Sequence, residues 1–95
     1  MSSAERPKIV WSGYMRYKAA VRGFDLEKIE RIVRHSAERY FDTVTRRLIA
    51  VGRHDERLVL IPYEETEGEI VPVTVHTTSR QQITFRLKTR RFIYE

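Results

Sequence analysis

Arg47-Leu48-Ile49-Ala50-Val51-Gly52 and Arg57-Leu58-Val59-Leu60-Ile61-Pro62-Tyr63 form the stretch on which the fold turns. Both runs are short and apolar, and the polar Arg53-His54-Asp55-Glu56 between them has the length of a hairpin connection. Glu64 to Gly68 reads as the next turn and Glu69-Ile70-Val71-Pro72-Val73-Thr74-Val75-His76 as a third strand, which completes an antiparallel meander. The second strand is apolar at both phases of its alternation, as expected of a central strand covered on both faces. Pro72 lacks a ladder donor and places part of the third strand at an edge. Within that strand, Val71, Val73 and Val75 are expected on the core face and Thr74 and His76 on the opposite one.

Working outward toward the N-terminus, the period changes from two to about 3.6. Asp25 is a good N-cap, and Ile29, Ile32, Val33, Ala37 and Tyr40 recur at the spacing of one buried helix face. His35 lies off that stripe and reads as a solvated residue. Before it, Ser12 caps a helix over Gly13 to Arg22 that Gly23 stops, with Tyr14, Met15 and Ala19 facing inward and Tyr17 and Val21 as further candidates. Lys8-Ile9-Val10-Trp11 predicts a short strand.

Toward the C-terminus, Gln82 to Lys88 alternates as a strand would, with Ile83, Phe85 and Leu87 on one side. The same residues follow Thr78-Ser79-Arg80-Gln81, which fits a capping box with Thr78 at N-cap and Gln81 at N3, and Ile83 with Leu87 makes an i, i+4 pair. The helix is the reading adopted. The expected fold is therefore α+β: two N-terminal helices packed on a small antiparallel sheet, a three-strand meander with Lys8 to Trp11 as a candidate further strand, and a C-terminal helix. Residues 1–95 form one domain, with 1–7 as a flexible N-terminus.

The composition agrees with this size of fold. At 95 residues the chain holds one modest core, and folding buries about 60–65% of the unfolded chain's surface, which leaves no room for a separate cofactor domain. No long apolar run or secretory signal is present, and zero cysteines exclude disulfides and thiolate metal sites. A cytoplasmic protein is the expectation. The net charge of +5 is unevenly spread. Residues 1–54 carry twelve Lys or Arg against six acids, residues 55–69 one against six, and residues 70–95 five against one. An acidic segment thus separates two basic ones, and most of the cations are Arg, whose planar fork suits phosphate and base stacking. The acidic turn region fits either a solvated rim or a docking surface for a basic partner.

The three histidines, 35, 54 and 76, are well separated and make no metal motif, and neither a Gly-rich phosphate loop nor a nucleophile elbow occurs. No metal and no cofactor is expected. One juxtaposition does carry chemistry. His76 ends the third strand just before the helix N-terminus, with Arg80 in the first turn. That arrangement offers backbone amides, a guanidinium and a group able to exchange a proton near neutrality to a phosphate. The alternative role for His76 is to end the strand and bond the turn.

Several segments resemble the BrnT group of the RelE/ParE toxin superfamily over roughly residues 8–95. Ala50-Val51-Gly52-Arg53 followed by Arg57-Leu58-Val59-Leu60 is similar to that group's "IGR…LLFVVY" hairpin. Thr74-Val75-His76-Thr77-Thr78-Ser79-Arg80 is similar to its "ISARxATxxE" strand-to-helix junction, Arg22-Gly23 falls at its "HG", and Tyr94-Glu95 matches its terminal "YE". The resemblance implies a RelE/BrnT-like fold and a metal-independent endoribonuclease that cleaves mRNA through the 2′-hydroxyl and is neutralised by a ribbon-helix-helix antitoxin. By position, Arg22 stands where the group has His and His76 where it has Arg, so the two residue types have exchanged places. The group's helix Glu falls near Gln82, or Gln81 with a one-residue shift. On this reading His76, Arg80 and Arg22 form the catalytic set, and Arg53, Arg86, Lys88 and Arg90 position RNA; a homodimer is a further candidate assembly. Two other readings stay open on the same fold: a non-catalytic RNA- or DNA-binding module, and a protein-interaction domain that uses the acidic 64–69 turn.

Overall fold

A computed structural model describes residues 6–95, so the expected flexible stretch lies outside the described residues for positions 1–5. At position 7 the chain is already tied down, because the Pro7 carbonyl accepts from Arg34 Nη1 at 2.7 Å. The elements are β1 (Lys8–Ile9), α1 (Gly13–Arg22), α2 (Leu26–His35), β2 (Glu38–Asp42), β3 (Arg47–His54), β4 (Arg57–Thr66), β5 (Glu69–Pro72), β6 (His76–Thr77), α3 (Arg80–Lys88) and β7 (Phe92–Tyr94). The protein is mixed α/β, with three helices and one seven-stranded sheet in the order β1-β5-β4-β3-β2-β7, β6 also pairing with β4. All pairings are antiparallel except β1 with β5. The sheet is thus larger than the expected meander by the strands β2, β6 and β7 and by the edge strand β1.

The local signals for the first two helices act as their chemistry requires. Ser12 Oγ accepts from Met15 N at 3.0 Å, Gly23 adopts φ 75° at the end of α1, and Asp25 Oδ1 accepts from Glu27 N at 2.8 Å. Only glycine takes that left-handed conformation without a Cβ penalty. α2 stops at His35, however, five residues before the end of its expected stripe. Ser36 leaves helical geometry, its Oγ donating to the Val51 carbonyl and accepting from Glu38 N, and the residues that follow pair with β3. A serine that bonds the backbone outside the helix competes with the next turn. Tyr40 is consequently a strand residue, stacked on Phe92 with ring centroids 5.5 Å apart.

Two cores form, one on each sheet face. Met15, Ala19, Phe24, Ile29, Ile32 and Val33 from the helical side pack on Ala50, Val59, Ile61, Tyr63, Ile70 and Val75. On the other face, Ile83 and Leu87 of α3 cover Tyr40, Ile49, Val51, Leu58, Leu60 and Phe92. Both phases of β3 and β4 are therefore buried, which accounts for their continuous apolar runs, and each fully buried aliphatic side chain contributes about 1.5–3 kcal/mol. On α1, Met15 and Ala19 are buried while Tyr14, Tyr17 and Val21 face solvent, against expectation, because the covered arc of that helix is narrow.

The expected third strand is interrupted. β4 advances three residues between the pairs Tyr63↔Pro72 and Leu60↔His76, whereas its partner advances four. One extra residue bulges between β5 and β6 and inverts the alternation. Ile70 and Pro72, not Val71 and Val73, are buried with the helical core, and after the bulge Val75 takes the same side. His76 thereby pairs with Leu60, whose side chain belongs to the α3 face. The expected turn at 64–68 is also shorter: β4 continues to Thr66, and the reversal falls at Glu67-Gly68, with Gly68 at φ 79°.

Candidate functional site

A cleft of about 400 Å³ opens on the α3 face of the sheet, between α3 and the strands. His76 and Thr77 reach it from β6, Thr74 from the bulge, Arg47 and Ile49 from β3, and Gln82 and Arg86 from α3, while Asp42 and Arg91 close its far side. The helix that forms one wall starts one residue later than expected. Ser79, not Thr78, is its N-cap, with Oγ accepting from Gln82 N at 3.1 Å, while the Thr78 amide donates to the Leu58 carbonyl at 2.9 Å and is not free for the reciprocal bond of a capping box.

Arg22 and His76, 54 positions apart, do meet. One Arg22 Nη1 donates to the Val75 carbonyl at 2.6 Å and lies 3.1 Å from His76 Nδ1. A guanidinium nitrogen has hydrogens and no lone pair to offer, so Nδ1 is the acceptor and Nε2 carries the proton. Withdrawal from solvent, followed by the positive charges of Arg22, Lys18 and Arg86, holds the imidazole below the ordinary histidine pKa. His76 is thus a neutral hydrogen-bond donor through Nε2, in a tautomer set by Arg22.

The other expected residues divide. Arg86 lines the cleft, with its guanidinium 5.4 Å from the Phe92 ring centroid, and among the described residues it pairs with no acid. Arg80 does not join His76: its Nη1 lies 2.6 Å from Glu38 Oε2, and Glu38 also accepts from Tyr40 Oη at 2.6 Å. The capping shift and the nearby carboxylate explain the difference. Arg53 donates to the Glu56 carbonyl at 3.0 Å in the β3–β4 hairpin and borders a separate hollow with Lys28 and Arg31. Lys88 and Arg90 are exposed at and beyond the end of α3 and do not line the cleft.

Arg47 and Arg91 are cleft residues that sequence reasoning missed. Arg47 Nε lies 3.1 Å from Glu64 Oε2, and Arg91 forks onto Asp42 with two 3.0 Å contacts. Arg47 opens a strand that the sequence announced, without a local sign that its side chain faces the cleft, and Arg91 precedes β7, whose pairing with β2 no local pattern announced. Thr74 Oγ1 is buried in the cleft wall and has no hydrogen-bond partner among the described residues. Among the described residues, no three His, Asp or Glu side chains converge as metal ligands, and no helix is long and apolar enough to cross a membrane.

His54 is the histidine whose role the sequence conceals. It is 2% exposed, its Nε2 accepts from the Asp25 amide at 2.8 Å, and its ring meets Phe24 edge-on at 5.0 Å. It fixes the start of α2 from the end of β3.

No protein-family model, curated protein or solved structure matches the chain significantly. The likeness to the BrnT group rests on the residues that carry it.

Proposed function

We propose that the chain binds RNA in the His76 cleft and cleaves it without a metal, as a RelE/BrnT-like toxin. The observation that carries this reading is that His76 and the unpaired Arg86 line one cleft while Arg22, from outside its lining, contacts His76 Nδ1. The cations suit a phosphodiester and its more highly charged transition state. In the free protein Arg22 occupies the Nδ1 lone pair. A phosphate that draws Arg22 away frees that nitrogen to accept the 2′-hydroxyl proton. The 2′-oxygen then bonds phosphorus, the bond to O5′ breaks, and the departing oxygen takes a proton from solvent, leaving a 2′,3′-cyclic phosphate and a 5′-hydroxyl. Arg80, held by Glu38, is outside this set.

Incubation of the purified chain with unstructured RNA in EDTA is expected to give those termini, and His76→Ala to slow cleavage by about 10²–10⁴-fold. RNA left intact, or cleaved equally by the variant, refutes the catalytic reading. On this reading, induced expression arrests growth in the cytoplasm and a ribbon-helix-helix antitoxin relieves the arrest. Occupation of Nδ1 by Arg22 favours a second reading, a non-catalytic RNA-binding module, which would bind RNA with a strong salt dependence and leave it intact.

A further inference from the structure

We propose that the outer face of α3 holds a subsite for one unpaired nucleobase of RNA, stacked on Phe85 and read at its edge by Gln81 and Gln82; this rests on the RNA-binding reading of the adjoining cleft. Ile83 and Leu87 turn toward the sheet, and two residues of helix, about 200° of rotation, carry Phe85 to the opposite side. Its ring is 64% exposed, yet it does not stand on a flat surface. It borders a hollow of about 520 Å³ with Gln81, Gln82, Arg86, Thr89 and Arg91. Gln82, Arg86 and Arg91 also line the His76 cleft, so the two depressions share a wall.

The lining selects the occupant. One aromatic face with a mostly apolar surround, bordered by amides, a hydroxyl and two guanidinium groups, matches a base, which needs a π-surface, edge partners and a nearby cation for its phosphate. Gln82 Oε1 already accepts from Thr78 Oγ1 at 3.1 Å, which leaves its NH₂ to donate to a base acceptor. Among the described residues the Gln81 amide has no hydrogen-bond partner and can both donate and accept. A duplex conceals its base faces, so the subsite favours single strands.

The test measures binding of the full chain to a 2′-O-methyl oligoribonucleotide, which cannot be cleaved, carrying one 2-aminopurine whose fluorescence falls on stacking. The wild type is expected to bind and quench. Phe85→Ala and Phe85→Leu should weaken binding by about 5- to 150-fold and abolish the quench, while Phe85→Trp retains both and binding to a loop-free, blunt-ended duplex is unchanged. If the wild type binds and Phe85→Ala binds within twofold of it, the subsite is overturned and the RNA reading stands. If the wild type binds no single strand, the RNA reading falls and the subsite with it. A change in oligomeric mass with Phe85→Ala, without loss of RNA binding, would assign the face to pairing of two copies and overturn the proposal.

Discussion

Replacing Asp42 by Asn tests how the cleft's far wall is held. The carboxylate is 3% exposed and accepts four donors: Arg91 Nε and Nη2 at 3.0 Å each, and the amides of Val44 and Thr45 at 2.9 and 3.2 Å. Asn retains one oxygen for the two amides and Arg91 Nε but loses the charge and turns an NH₂ toward Arg91 Nη2, donor against donor. A charge-assisted hydrogen bond contributes about 1.5–3 kcal/mol. Breaking a fully buried pair costs about 3–5 kcal/mol, but the Arg91 side chain is 37% exposed and regains water, so a loss of about 2–3 kcal/mol is expected. For a chain of this length that lowers Tm by roughly 10–20 °C.

The pH dependence supplies the sign. Burial of Asp42 acts to raise its pKa, but the Arg91 fork and the two amides outweigh it, and the native carboxyl lies below the ordinary 3.8. Its stabilisation is present above that value and is lost as pH falls through the native pKa. Urea titrations followed by circular dichroism should therefore show a gap between wild type and Asp42→Asn at pH 7 that shrinks toward pH 2. A gap below about 0.5 kcal/mol at pH 7, or one unchanged by acid, would refute the assignment.

In Arg22→Gln the loss of the adjacent cation should raise the His76 pKa toward its ordinary 6.5, as followed by imidazole proton shifts in NMR; an unmoved titration would remove Arg22 as a cause. Gly52→Ala would put a Cβ 2.8 Å from Ile32 Cγ2, and the overpacking should cost about 1–3 kcal/mol in denaturant melts unless Ile32 changes rotamer freely. His54→Ala removes a buried ring and the acceptor of the Asp25 amide, so a loss of about 2–4 kcal/mol is expected, and an unchanged midpoint would contradict its anchoring role.

Elements with their own punctuation were legible in the sequence: Ser12 and Gly23 delimit α1, Asp25 marks the start of α2, and the apolar runs of β3 and β4 announce two covered faces. What was illegible depends on partners distant in the chain. β2 looks like a helical continuation until Ser36 and the ladder to β3 are known, and the three-residue β7 has no pattern long enough to read. The opposite faces of Val75 and His76 were anticipated, but through a phase that is wrong for Val71 and Val73; only the register against β4 reveals the bulge. At the site, the positional exchange of Arg22 and His76 left open whether the two side chains meet, and their contact required the tertiary structure. The capture of Arg80 by Glu38, and the arrival of Arg47 and Arg91, required the tertiary structure.

The extra residue between Pro72 and His76 makes the orientation of His76 a matter of counting. Removing one residue from Val73-Thr74 would return the segment to an uninterrupted ladder with the imidazole still opposite Leu60 on the α3 face, whereas drawing all four steps into a regular ladder would swing it to the helix-covered side. Chains of this architecture can therefore lose the bulge by a single in-frame deletion while keeping both the fold and the facing of the histidine.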